Sequence, residues 1–305
     1  MQPTLSIYVA PTALYGAVVS TGTKGLRLDA VAVVPRSDPG ELPLEVLRNQ
    51  IGSVAWSELA LAVENAQPLV AAFPIEREQS EVVVREQLEL EIVQQFLSTP
   101  SEGYTADVYR VGPDAEGRFT ACAVCWLRSH DQIFGATEEV FGIQPRKTLA
   151  VLGAAAAYAY NYPQHASKRV GIALVGDKLL DFIVMHNGAL LYWAWTPIER
   201  SIEQTLQRAV RSALFHCGEV ATIRLTGSAL TRQSYQRLAI AFDGRLSEPI
   251  APLDGFRLVE CGMNAHLCRA AAPLGHLFAP ALGAAIAPLY LPAHWTIALM
   301  TDTAV

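Results

Sequence analysis

What this sequence has little of narrows its class first. Charged residues make up only 17% of the 305, and Lys plus Arg (23) fall short of Asp plus Glu (29). The net charge of -6 leaves no basic footprint, which excludes nucleic acid as an expected partner. Lys and Arg are scattered, with no polybasic cluster to hold the chain on anionic lipid. The seven histidines show no i, i+4 pair and no H-E-x-x-H, so metal ligation is not expected. There is no G-x-S-x-G elbow of the hydrolase kind. Thr21–Gly25 (TGTKG) holds a lysine between glycines but lacks the Walker spacing and a following helix, so it reads as a hairpin turn.

Long hydrophobic runs are missing as well. The most apolar late stretch, 277–291, is cut by Pro280 and Pro288 and is too short as it stands to span a bilayer. The first ten residues carry no positive charge before their apolar run, so they do not read as a signal peptide. Five cysteines at irregular spacing point to a reducing compartment. Cys122 and Cys125 formally make a C-x-x-C, but they lie in a strand-like stretch where residues three apart face opposite ways. Plain buried thiols are the expectation, and with them a soluble, cytoplasmic protein.

What is present is apolar residues, 51% of the chain, enough for a large core and too much chain for one. The opening reads as three strands, 5–10, 14–20 and 26–34, then a short helix at 44–51 and strands at 59–63 and 69–73. A helix from 80–81 follows, with Val84, Leu88, Ile92 and Phe96 recurring every fourth residue, joined by Val93 and Leu97 in one buried stripe. Strands 104–111 and 119–127, a helix at 131–141 capped by Gly142 and a strand at 143–148 complete an α+β unit. An Ala-rich helix, 150–160, leads to a crossing at Lys168-Arg169.

The second part repeats the first. Strands 170–175, 179–185 and 189–195 form a meander about 165 residues after the opening one, with an Asn187-Gly188 hairpin turn. A helix at 201–217, with Ile202, Leu206, Ala209, Val210 and Ala213 on one face, a strand at 222–226, a helix at 231–242 and a short strand at 245–247 follow. Tyr192, Trp193 and Trp195 are aromatic; alternation puts the tryptophans on one face, where core packing is the favoured role over an exposed docking surface. The apolar segment Pro288–Trp295 fits either closure over the first lobe or a path towards a partner.

The segment Phe73–Tyr160 resembles the corresponding part of the type IV pilus assembly protein PilM family. The resemblance rests on VVVREQLELEIVQQFL (residues 82–97), Tyr104–Tyr109 (YTADVY), Ala121–Val124 (ACAV), the Gly142-Ile-Gln-Pro145 turn, Leu152–Ala157 (LGAAAA) and Pro280–Ile286 (PALGAAI). It implies an α/β, actin-like (ribonuclease H-like) duplicated two-lobe fold with an inserted α+β subdomain. The expected division is 1–72 with 146–167 as the first lobe, 73–145 as the insertion and 168–305 as the second lobe. It also implies a cytoplasmic scaffold, peripheral to the inner membrane, that holds the cytoplasmic tail of a membrane-anchored pilus or secretion partner. Direct membrane insertion is not expected.

An actin-like ATPase needs two turns to cradle phosphates, with Asp and Gly in each: glycine for close backbone approach, the acid for Mg²⁺ and water. Here the first turn lies in Tyr8–Leu14 (YVAPTAL), with neither Asp nor Gly, and Pro11 removes an N–H. The second offers only Val175-Gly176-Asp177-Lys178. The adenosine turn, Leu225–Leu230 (LTGSAL), resembles the family's L-S-G-G-x-A pattern with Ser228 in place of a glycine. One reading is a nucleotide site on Gly176, Asp177, Gly227, Ser228 and Gly283. The other, favoured by the missing first acid, is that these are turns inherited from an ATPase, with no cofactor or only weak ATP/Mg binding. An active ATPase or kinase with an atypical phosphate loop is the alternative. A filament former is the third, though no surface in the sequence marks it.

Overall fold

The computed structural model describes residues 1–38, 40–64, 68–96, 103–127 and 132–299. Its first third holds strands β1 (Thr4–Val9), β2 (Ala13–Thr21) and β3 (Leu26–Pro35), helix α1 (Leu44–Ile51), and strands β4 (Glu58–Val63) and β5 (Leu69–Ile75). Next come α2 (Glu81–Phe96), β6 (Tyr104–Val111), β7 (Phe119–Leu127), α3 (Gln132–Phe141), β8 (Arg146–Leu149) and α4 (Ala150–Asn161). The second half contains β9 (Val170–Val175), β10 (Leu179–His186), β11 (Ala189–Pro197), α5 (Ile202–Cys217), β12 (Thr222–Thr226) and α6 (Arg232–Ala241). It ends with β13 (Ala251–Pro252), β14 (Glu260–Cys261), α7 (Ala265–Ala271), α8 (Gly275–Tyr290) and β15 (Trp295–Leu299).

Two sheets carry the duplication. In the first, β3-β2-β1-β4-β8 run side by side, with β1–β2 and β2–β3 antiparallel and β1–β4 and β4–β8 parallel. In the second, β11-β10-β9-β12-β13 repeat the same order and the same directions. This is the actin-like, mixed α/β architecture. The central strands β1 and β9 are buried along their whole length, which is why they read as continuous apolar runs rather than alternating ones. Strand β3, near the sheet edge, alternates buried and partly exposed residues along most of its length. The Asn187-Gly188 turn has φ of 50° and 74°, the left-handed pair that a two-residue hairpin demands.

A third sheet, β15-β6-β7-β5, with α2 laid over it, forms the inserted subdomain. Val84, Leu88 and Ile92 bury the α2 stripe against it. Val93 does not join them and is 38% exposed; the predicted positions Phe96 and Leu97 lie outside the described side chains. Cys122 belongs to the main core and Cys125 to the subdomain core, on opposite faces of β7 as strand geometry requires, and both are free thiols.

Several sequence expectations are corrected. The short strand expected at 245–247 is absent, and β12 pairs instead with β13, five residues further on. The chain from Glu260 onward, expected in the second lobe, returns to the first: β14 pairs with β3, and β15 adds to β6 in the inserted sheet. The prolines do not stop the late helix. Helical structure runs from Ala265 to Tyr290, 26 residues, long and apolar enough by those measures to cross a membrane. Most of that window is buried in the protein, where α8 packs along α4 and against β1, β2 and β4. Cys261 and Cys268 form a disulfide joining β14 to α7, a pairing that irregular spacing alone did not reveal.

Candidate functional site

The carboxyl ends of the parallel strands of both lobes meet at one place, where ligands of open α/β sheets bind. The turn after β1 is tight, with Ala10 N–H donating to Ala13 O at 3.1 Å. Arg36, just past β3, folds back onto it: its Nη1 donates to Ala10 O (2.7 Å), its Nε to Glu41 O (2.8 Å), and its backbone N–H to Thr12 O (2.8 Å). A guanidinium thus sits where the sequence lacks the acid of a phosphate turn.

The turn after β9 holds Gly176 and Asp177, and Gly176 N–H closes it on Leu179 O at 3.0 Å. The turn after β12 lies directly against it. Ala229 N–H donates to Val175 O (3.0 Å), and a Cβ on Gly227 (φ 111°) would fall 2.5 Å from that same oxygen. No side chain fits there, so Gly227 is fixed by backbone contact between the turns. Gly176 and Asp177 on one turn and Gly227 and Ser228 on the other thus lie on two adjoining turns. Gly283 does not join them. It lies inside α8, where its Cβ would be 1.6 Å from Gly153 O on α4, so it seats a helix crossing.

The residue that organises the site was not foreseen. Glu64, immediately after β4, is 6% exposed. Its backbone N–H donates to Val9 O (3.1 Å), the Tyr8 hydroxyl donates to its Oε2, and Ser228 Oγ donates to its Oε1 at 2.9 Å. Tyr8 and Glu64 come from the first lobe and Ser228 from the second, so the trio is a polar link between lobes. Burial raises the Glu64 carboxyl to about 8; the Ser228 hydrogen bonds oppose the rise, while Asp181 and Asp177 add to it. Burial likewise lifts Asp181, on β10, to about 7, opposed by the Trp193 indole. The signal available in the sequence was a lone acid directly after the apolar run Leu59–Val63, at the carboxyl end of a strand.

Chemically, the site offers Glu64 with two further carboxyl groups, Asp177 and Asp181, within its electrostatic reach, and a tethered arginine at the first turn. Among the described residues, no three His, Cys, Asp or Glu side chains converge as a metal site.

A second concavity lies between the inserted sheet, β8 and the end of α8. It is a pocket of about 300 Å³ lined by Asp107, Tyr109, Arg146, Lys147, Pro288 and Thr296 among others. Arg146 spans its floor, donating to Ala284 O and Ala285 O at 3.3 and 3.1 Å. The two tryptophans on β11 divide in role: Trp193 packs on the core and against Tyr109 of the insertion (6.4 Å between rings), whereas Trp195 is 40% exposed.

No protein-family profile matches the chain, and no curated protein matches it either. Among solved structures, the chain is similar to one described as the PilM-PilN type IV pilus biogenesis complex. The TM-score is 0.69 at 14% identity, covering 93% of this chain and 97% of that one. A protein from Bacteroides thetaiotaomicron with an actin-like ATPase fold and unknown function matches with a TM-score of 0.52 at 12% identity, over 82% and 90% of the two chains. The fold is actin-like. At these identities the likeness fixes architecture only.

Proposed function

We propose that this chain is an actin-fold scaffold of a type IV pilus or type II secretion-like assembly, which binds the cytoplasmic tail of an inner-membrane partner and does not turn over ATP. In this reading it is cytoplasmic and peripheral to the membrane through that partner. The observation that carries the loss of turnover is the internal occupation of the cleft: Arg36 fills the first turn, and Tyr8 and Ser228 hold Glu64 across the lobes. The likeness to the PilM-PilN complex supports the scaffold reading, because that structure has the same architecture over nearly its whole length.

The pocket between the insertion and the first lobe is the place for the partner's tail. Its walls supply both an apolar rim, Pro288 and Leu291, and charged groups of each sign, Asp107 and Arg146, suited to an extended peptide. Calorimetric titration with ATP and Mg²⁺, run beside a hydrolysis assay, tests the proposal. The expected result is no turnover and no binding tighter than millimolar. Micromolar binding with hydrolysis would instead make the chain an ATPase or kinase with an atypical phosphate loop.

A further inference from the structure

Away from the cleft, the end of α4 meets β12 and the loop after β13 in a cluster of basic and aromatic groups that the proposed scaffold role does not use. Tyr162 is its hub. The ring of Tyr158 stacks on it at 5.0 Å, and the His165 ring lies 5.7 Å away. Two guanidinium carbons, those of Arg224 and Arg257, stand 5.2 and 4.7 Å from the same ring centroid. The two arginines therefore lie within about 10 Å of each other, a spacing at which like charges repel unless an anion joins them. Lys168 adjoins the cluster, but its charge is met by Glu248 in an ion pair. Arg257 has the Gln164 amide oxygen as an acceptor, with Nη1 and Nη2 at 2.6 and 3.0 Å once the amide faces it. That oxygen is neutral, and among the described residues Arg257 has no ion pair.

The second observation is a concentration of polar atoms with nothing to bind. Tyr158 is 4% exposed and its hydroxyl has no hydrogen-bond partner; Arg224 Nε and His165 Nδ1 are buried atoms in the same condition. Buried donors without partners are rare in folded proteins because each costs about 1–3 kcal/mol. The Tyr158 hydroxyl, Arg224 Nε and His165 Nδ1 gather around one ring, beside the Arg257 guanidinium. The electrostatic surroundings agree. Burial raises the Tyr158 phenol and Arg224 pulls against the rise, so the hydroxyl stays a donor at neutral pH. Burial also lowers the His165 imidazole.

We propose that Tyr158, His165, Arg224 and Arg257 form a binding site for an oxyanion of the phosphate class, either free phosphate or a small phosphomonoester. Planar guanidinium forks match the oxygen spacing of such an ion, and the phenol supplies a further donor. The aromatic hub holds the arginines in place through their faces. Glu248, near the cluster, is paired with Lys168.

Calorimetric titration of the full chain with inorganic phosphate, at ionic strength matched with sodium chloride, tests this directly. Saturable binding of phosphate, with none of chloride, is expected. Arg257 is exposed, so Arg257→Gln folds normally and weakens phosphate about tenfold or more. Tyr158→Phe keeps the stacked ring and weakens it several-fold, while Arg232→Gln on α6 leaves it unchanged. Glycerol phosphate as the second probe separates the sources: tighter binding than phosphate assigns the site to an organic ester, equal or weaker binding to the free ion. Absence of binding by both probes, or an Arg257→Gln protein that binds as the parent does, overturns the proposal.

Discussion

Glu64 shows how one residue couples the lobes to pH. Its carboxyl ordinarily ionises near 4.5 and is held near 8 in the folded protein by burial. Between those values the folded chain keeps a proton that the unfolded chain has released. Its contribution to stability is therefore complete below about pH 4.5 and is lost as pH rises towards 8. Glu64→Gln carries the shape of the neutral acid at every pH. We expect its stability to lie close to the parent's at pH 5 and to exceed it at pH 8 by on the order of 4 kcal/mol. Thermal melts at the two pH values decide it; an identical offset at both would mean that Glu64 is ionised throughout. Asp181, raised to about 7, contributes a residual slope of the same sign that survives this substitution. In the sequence, Gly176, Gly227 and Ser228 stood out because turns have local chemistry. Glu64 did not, because its meaning depends on Tyr8 and Ser228, 56 and 164 residues away.

At the scale of elements, the crossing of α4 and α8 holds the tightest glycine-to-backbone approach among the described residues. A Cβ on Gly283 would lie 1.6 Å from Gly153 O, and one on Gly153 would lie 2.4 Å from Pro280 O. Backbone, not a flexible side chain, stands in the way, so the helices must part. Gly283→Ala is expected to destabilise the protein by about 3 kcal/mol or more. Denaturant unfolding measures it, and an unchanged midpoint would refute the crossing. The sequence signalled Gly283 as a nucleotide residue because small residues serve close approach to a ligand and close approach to a helix equally well. Helix α2 is the contrary case: Leu88 and Ile92 were legible from period alone, and Leu88→Ala should cost about 2–5 kcal/mol. Unfolding of the variant followed by tryptophan fluorescence checks that figure. Val93 escaped the stripe because it sits about 140° around the helix from Leu88, the centre of the buried face, and so points to solvent.

For the whole molecule, the last described strand makes the chain return on itself. β15 pairs antiparallel with β6, from Trp295↔Val108 to Leu299↔Tyr104, and buries Ile297 completely in the core of the insertion. Removing 293–305 exposes the hydrogen-bonding edge of β6, which the folded protein otherwise covers. Amide exchange along β6 and its neighbour β7 is expected to accelerate, while β9, β10 and β12 in the second lobe keep their protection. Uniform acceleration through both lobes would show that the insertion and the lobes unfold as one unit.

The sequence by itself determined the duplicated meander and the inserted α+β unit. Those features rest on periodicity and turn chemistry, which act over a few residues. Tertiary structure alone decided that Arg36 fills the first turn, that Glu64 links the lobes and that Gly283 serves a helix crossing. It also decided that the last 40 or so described residues rejoin the first lobe. Each of these depends on which distant segments share a surface, and a local pattern carries no record of its partner. An apolar strand such as β15 satisfies its hydrogen bonds at any open edge, and only the packed fold shows which edge was left open.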